Sequence, residues 1–132
     1  MQCVFTGMVH HISLGTADLE RARAFYDPVM RELGLSRTLD VDDAIGYGAG
    51  ITVFSLNLPA DGAPASPGNG VHVAFEVEKR AAVDAFFRVA TVNGGIGDGA
   101  PGLRPEYDGH YYAAFVRDPD GNKIEALTFA AV

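Results

Sequence analysis

The chain has 132 residues, 48% of them hydrophobic and 20% charged, so it can bury the core of one compact domain. Its 17 acidic residues exceed its 10 basic ones and give a formal net charge of −7. This argues against nucleic acid or an anionic membrane surface as a partner, because both attract clustered Lys and Arg. Cys3 is the single cysteine, and the sequence has neither an apolar run long enough to span a bilayer nor a signal-peptide pattern at its start. A cytoplasmic protein without an internal disulfide is therefore expected.

The chain is expected to open with a strand and an amphipathic helix. Residues 1–7 are interpreted as an N-terminal extension, since Met8 can equally begin the chain. Residues 9–14 form a short stretch with apolar and β-branched residues, which is typical of a strand. Apolar residues recur with a 3.6-residue period over 19–33, which predicts a helix that Pro28 kinks or stops early.

The rest of the chain supplies further strands, one more helix and two loops. The Pro-, Gly- and Ala-rich segment 57–70 is interpreted as a mobile linker, and residues 99–110 as a long loop. The second helix is expected over 80–93. The strands are expected near residues 35–41, 44–47, 51–56, 71–77, 111–117 and 123–129, the last two joined by the turn "DPDG".

The two halves repeat each other at an offset of 61 residues. His11 falls on His72, and Phe25 falls on Phe86. This repeat predicts an α+β fold of two modules, residues 8–56 and 71–132, each with a strand, a helix and two or three further strands. Their sheets are expected to lie side by side as a cupped mixed sheet with helices on its outer face. The concave face is then available to a ligand. At the end of each half, "GITVFSL" aligns with "GNKIEAL", which puts Phe54 in the place of Glu125.

Strand alternation predicts which side chains face the concave side. His11, Ser13, His72 and Glu125 are expected there, whereas His10 is assigned a structural role on the opposite face. Two imidazoles and a carboxylate suit one divalent metal ion, with Fe, Mn, Ni and Zn all reasonable. The alternative is that each histidine is a solvated or hydrogen-bonded polar group at a sheet edge.

Three stretches of the sequence resemble a known superfamily. These are the opening H-x-x-L-x-x-x-D-L-E-R-A-R-A-F-Y of residues 11–26, the strand "HVAFEV" and the closing "DPDGNKIEAL". They resemble the vicinal oxygen chelate superfamily, which includes glyoxalase I, bleomycin-resistance proteins, extradiol dioxygenases and fosfomycin-resistance enzymes. The resemblance implies paired βαβββ modules with metal ligands at His11, His72 and Glu125, and Phe54 at a fourth ligand position.

Departures from the family patterns reduce the number of activities that are expected. Phe54 cannot bind a metal, and Gly15 stands where glyoxalase I has an arginine for glutathione, so true glyoxalase I activity is not expected. The His, His, Glu pattern looks more like that of the extradiol dioxygenases and fosfomycin-resistance transferases, although Phe115 stands where both tend to have tyrosine. Bleomycin-type binding proteins generally lack the metal ligands.

Further pocket residues are predicted around the second module. Arg104 can hold a carboxylate, Tyr111 can donate a hydrogen bond to an oxygen at the metal, and His110 can act as a general acid or base. Ser13, Phe54, Arg104 and Phe115 are predicted to contact substrate. The alternative is that the tyrosines pack the sheet and that Arg104 is a solvated charge.

Two functions follow as hypotheses. The first is a lyase- or dioxygenase-like enzyme that chelates a small oxygenated substrate through two oxygens to a divalent metal. The second is a metal-free protein of the bleomycin-resistance type that binds an aromatic or cationic small molecule. A homodimer is expected in both cases, with the modules paired either within one chain or across two.

Overall fold

The computed structural model describes residues 8–132, and the extension predicted at residues 1–7 lies outside them. Two four-stranded sheets form, with strand orders β1-β4-β3-β2 and β5-β8-β7-β6. The predicted α+β class with two tandem βαβββ modules is confirmed. No helix in this part of the chain is long and apolar enough to cross a membrane. The elements are β1 (Ile12–Gly15), α1 (Leu19–Glu32), β2 (Ser36–Val41), β3 (Ala44–Gly48), β4 (Thr52–Asn57), β5 (His72–Glu76), α2 (Arg80–Val92), β6 (Ile96–Leu103), β7 (Tyr112–Arg117) and β8 (Lys123–Thr128).

Helix α1 runs through its proline. The Asp18 side chain caps the first turn by accepting from the backbone N–H of Arg21 at 3.1 Å. The helix continues past Pro28 to Glu32, so the prediction that this proline stops the helix early is wrong. The reason is burial on both sides of the proline, since Tyr26 and Val29 are fully buried and hold the last turn in the core.

Strand β6 occupies part of the predicted loop 99–110. It pairs antiparallel with β7, with irregularities between Gly97 and Gly99 and between Gly99 and Gly102. These glycines and Pro101 lower the local strand propensity, which is why the pattern predicted a loop. The edge position of β6 tolerates them, because an edge strand has neighbours on one side only.

The two modules share one core within the chain. Helix α1 packs against α2, and the Phe54 ring of the first module meets Phe75 of the second with ring centroids 5.2 Å apart. The turn before β8 adds a polar connection, because the Tyr26 hydroxyl donates to Asp118 at 2.6 Å. The pKa of Tyr26 is raised well above its usual value, first by burial and then by the Asp118 carboxylate.

Candidate metal and substrate site

The strand register corrects the alignment of the two modules. In the parallel pairs, Ile12 lies opposite Phe54 and Val73 lies opposite Ile124, so Phe54 corresponds to Ile124. Ser55 is therefore the counterpart of Glu125. The shift arises because one more residue separates Gly50 from Phe54 than separates Gly121 from Ile124. A slip of one residue moves a side chain to the other face of a sheet.

Phe54 is a core residue rather than a pocket wall. It is 1% exposed and packs against Tyr26 and Phe75, with ring centroids 5.4 and 5.2 Å away. The prediction that Phe54 contacts substrate is therefore wrong.

The second module forms a cavity of about 610 Å³ on the sheet face that carries Glu125. Glu125 is only 2% exposed, and its Oε1 lies 3.1 Å from Nε2 of His72. Its Oε2 accepts a hydrogen bond from the Tyr111 hydroxyl at 2.6 Å. Burial is the main cause that raises the pKa of Tyr111 far above its usual value, and this hydrogen bond is the second cause. The proton therefore stays on the phenol. In this geometry Tyr111 positions Glu125 and does not point its proton at a substrate.

Two cations flank an aromatic ring in the same cavity. The Arg104 guanidinium lies 5.5 Å and the Lys123 ammonium 5.1 Å from the centre of the Phe115 ring. Arg104 donates to the backbone carbonyls of Ala100 at 2.8 Å and Gly102 at 2.9 Å, which fix its position. Lys123 was not predicted as a site residue, although strand alternation places it on the face of Glu125. The Lys123 ammonium is also 3.7 Å from the carboxylate of Asp98, which lines the same cavity, so the lining carries charges of both signs. The Arg104 guanidinium can offer its positive charge to an anionic group of a ligand.

The first module forms a smaller, uncharged cavity of about 270 Å³. Ser13 Oγ lies 2.8 Å from Ser55 Oγ, which in turn donates to Asn57 at 2.8 Å. The residues that line the cavity are His10, His11, Ser13, Leu39, Thr52, Ser55 and Asn57.

His10 lies beside His11 and not on the helix side of the sheet. Both histidines are exposed, and they precede β1, which begins at Ile12. The strand alternation used to assign His10 a structural role therefore does not apply to it, and that assignment is wrong.

The structure does not bring the three predicted ligands together within one chain. His11 lines the first-module cavity, whereas His72 and Glu125 line the second-module cavity. Across residues 8–132 no group of three His, Cys, Asp or Glu side chains is close enough to hold a metal. His110 lies in an exposed loop and lines neither of these cavities.

The His72–Glu125 pair nevertheless fits a divalent metal. Two ligands that are each about 2.1 Å from an ion and about 90° apart are roughly 3 Å from each other. The 3.1 Å between the His72 nitrogen and the Glu125 oxygen matches this separation. The Tyr111 hydrogen bond to the other oxygen is the kind of outer contact that orients ligating carboxylates.

Comparison with known proteins adds the family context. A sequence model of the glyoxalase/bleomycin resistance protein/dioxygenase superfamily matches residues 8–126. A crystal structure of a glyoxalase/bleomycin resistance protein from Albidiferax ferrireducens T118 is 35% identical, with 92% of this chain and 99% of that chain covered and a TM-score of 0.86. No curated protein matches the sequence.

More distant structures share the fold alone. A glyoxalase/bleomycin resistance protein/dioxygenase family enzyme from Burkholderia phytofirmans PsJN is 22% identical, with 94% of this chain and 100% of that chain covered and a TM-score of 0.72. A lactoylglutathione lyase from Agrobacterium tumefaciens is 22% identical, with 92% of each chain covered and a TM-score of 0.65.

Proposed function

Because the chain belongs to the glyoxalase/bleomycin resistance protein/dioxygenase superfamily, we propose that it is a metal-dependent enzyme that acts on a small oxygenated substrate. Members of this superfamily typically bind a divalent metal. The observation that carries the proposal is the buried Glu125 carboxylate, held between Tyr111 and His72 with one oxygen directed at the imidazole. A buried carboxylate without a cationic partner is costly, and a metal ion satisfies it.

The third ligand in this proposal is His11 of a second copy of the chain. His11 and the His72–Glu125 pair line separate cavities, and β1 and β5 are edge strands of their sheets. A homodimer that places β1 of one chain beside β5 of the other brings the two cavities into one groove. The protein then has two identical sites per dimer.

A metal ion held by His72, Glu125 and the His11 of the second copy would supply Lewis-acid polarisation of substrate oxygens. The protein supplies orientation and charge. Arg104 and Lys123 hold an anionic group of the substrate, and Phe115 packs against its apolar part. Ser13 offers a neutral hydrogen bond from the first-module side.

True glyoxalase I activity is not part of this proposal. Ser55, at the position equivalent to Glu125, provides a hydroxyl and no carboxylate. Gly15 provides no cation for a glutathione carboxylate.

A second candidate function is capture of a small aromatic or cationic molecule without catalysis. An aromatic wall beside Glu125 favours it, in which Tyr111 meets Tyr107 and Phe129 with ring centroids 5.1 and 5.3 Å apart. The net charge of −7 also suits a cationic ligand. In that case ligand-induced stabilisation survives treatment with a chelator, and metal-dependent binding would contradict it.

Metal analysis of untagged protein tests the first candidate. We expect about one divalent ion per site, and a loss of affinity of at least about tenfold in His72→Ala, because removing even a residue that orients a ligand costs about 10–100-fold. His110→Ala is the matched control, since His110 lines neither cavity. Equal metal binding by His72→Ala and the parent would refute the proposed site.

A further inference from the structure

The first module carries two adjacent imidazoles on one side of the chain. His10 and His11 precede β1, so their side chains are not forced to opposite faces, and both line the uncharged cavity of the first module. Their rings meet edge to face, with centroids 5.1 Å apart and planes at 85°. Nδ1 of His10 lies 2.9 Å from Nδ1 of His11.

The short distance between the two Nδ1 atoms has two chemical explanations. A neutral imidazole carries one N–H and one nitrogen lone pair, so the two Nδ1 atoms can share one hydrogen bond. Alternatively, both Nδ1 lone pairs are directed at one cation. Two ligands at about 2.0–2.1 Å from an ion are roughly 2.9 Å from each other when they are about 90° apart, as at an octahedral ion, and roughly 3.3–3.4 Å from each other at a tetrahedral ion. The 2.9 Å between these two nitrogens matches the octahedral case.

The environment of the pair is compatible with the second explanation. Within residues 8–132 neither ring hydrogen-bonds to any side chain but the other, and the lining of the cavity contains no Asp, Glu, Lys or Arg. Within these residues, the imidazole N–H groups are therefore not bonded to a carboxylate, and the lone pairs are not bonded to a cationic side chain. Imidazole is a good ligand for Zn, Ni, Cu and Fe.

We propose that His10 and His11 form a two-imidazole donor pair for a divalent transition metal, and that this pair is the contribution of the first module to metal binding. The inference rests on the proposed function, because His72 and Glu125 of the second copy are the other ligands. The complete site then has three imidazoles and one carboxylate. His10 then supplies the donor that Ser55, at the position equivalent to Glu125, does not. A nitrogen-rich set of this kind selects Zn, Ni or Co over Mg.

The test is metal titration of the untagged full-length chain with Co²⁺, followed by visible absorption, and with Zn²⁺ in competition with a chromogenic chelator. The variants are His10→Gln, His11→Gln and His72→Gln, with His110→Gln as the matched control. Circular dichroism melting of each variant checks that the fold is intact. X-ray absorption of the Zn²⁺ form counts nitrogen ligands.

We expect His10→Gln and His11→Gln each to weaken Zn²⁺ binding at least about tenfold and to remove one imidazole from the ligand count, while His110→Gln matches the parent. If His10→Gln matches the parent while His11→Gln and His72→Gln weaken binding, the donor pair is wrong and the proposed function stands. If His10→Gln and His11→Gln weaken binding and His72→Gln does not, the pair stands and the site shared between chains is wrong. If the parent binds neither Co²⁺ nor Zn²⁺, both are wrong.

Discussion

Ser55 and Glu125 occupy equivalent positions in the two modules but differ in their chemistry. Both are buried on the same face of equivalent strands, with exposed fractions of 4% and 2%. The first module offers a hydroxyl that bonds Ser13 and Asn57, and the second offers a carboxylate that bonds His72 and Tyr111. One side of the proposed groove is therefore neutral and the other is charged.

The variant Ser55→Glu tests whether Ser55 is the structural counterpart of Glu125. The new carboxylate falls beside His11 in the first-module cavity, where it lacks a cationic side chain. We expect the metal-free variant to lose about 1–3 kcal/mol of unfolding free energy, because a buried charge without a partner is costly. Divalent metal should restore the loss. The measurement is urea unfolding with and without Zn²⁺.

Phe54→Glu is the matched comparison for Ser55→Glu. It puts the same carboxylate one residue earlier, into the core between Tyr26 and Phe75. We expect this variant to be severely destabilised whether or not metal is present. Metal rescue of Phe54→Glu but not of Ser55→Glu would show that Phe54, and not Ser55, corresponds to Glu125.

At the scale of elements, the turn before β8 connects the second module to the start of α1. Asp120, whose side chain is 9% exposed, accepts from the Thr16 hydroxyl at 2.6 Å and from the backbone N–H of Ala17 at 2.9 Å. It also pairs with Arg21 at 2.6 Å. Asn122 completes the contact by donating to the backbone carbonyl of Gly15 at 2.9 Å. The "DPDG" motif thus joins the modules as well as reversing the chain.

Asp120→Ala should destabilise the protein by about 1–3 kcal/mol, because it leaves the buried Thr16 hydroxyl and the Ala17 N–H with weaker partners or none. Asp40→Ala is the control. The Asp40 side chain is 49% exposed and pairs with Arg23 and Arg37, so its removal should cost about 1 kcal/mol or less. Urea unfolding measures both, and equal losses would contradict the role of the turn.

At the scale of the whole molecule, buried tyrosines make stability depend on alkaline pH. Burial, and then hydrogen bonds to Asp118, Asp27 and Glu125, raise the pKa values of Tyr26, Tyr47 and Tyr111 above the usual 10. Each of these hydroxyls binds its proton more tightly in the folded state than in the unfolded state. Their contribution to stability is therefore complete below pH 10 and is lost as the pH rises towards the folded-state values.

We expect the urea midpoint to fall as the pH rises above about 10, because the free energy of unfolding decreases by at most about 1.4 kcal/mol per pH unit for each of these tyrosines. Tyr26→Phe should show a shallower fall, since it lacks one of the groups. Tyr107→Phe is the control, because Tyr107 is 64% exposed. A midpoint that is constant from pH 9 to about pH 11 would contradict the burial of these hydroxyls.

Mixing of two defective chains tests the site shared across a dimer. His11→Ala and His72→Ala should each bind metal weakly. After joint unfolding and refolding, each mixed dimer has one site with both defects and one intact site. About a quarter of the parental metal content should return, because half of the dimers are mixed and one of their two sites is intact. No recovery would indicate sites confined to one chain, and metal analysis after gel filtration is the measurement.

The sequence by itself determined the α+β class, the division into two repeated modules and the placement of both helices. These follow from local periodicity and from the repeat that begins at His11 and His72, and neither requires knowledge of which distant segments touch. Alternation along a strand also grouped Tyr111 with Phe115, and the family resemblance put that group on the groove face, where Glu125 was expected.

Only the tertiary structure decided what depends on contacts between distant segments. The pairing of β1 with β4 put Phe54 in the core and Ser55 in the position equivalent to Glu125, and one additional residue after Gly50 concealed this in the alignment. The irregular edge strand β6 was not predicted, because its glycines have a low strand propensity. Its extended backbone depends on the pairing with β7. The structure also showed that His11 and His72 line different cavities, because the relative position of two sheets depends on contacts between segments that are distant in the sequence.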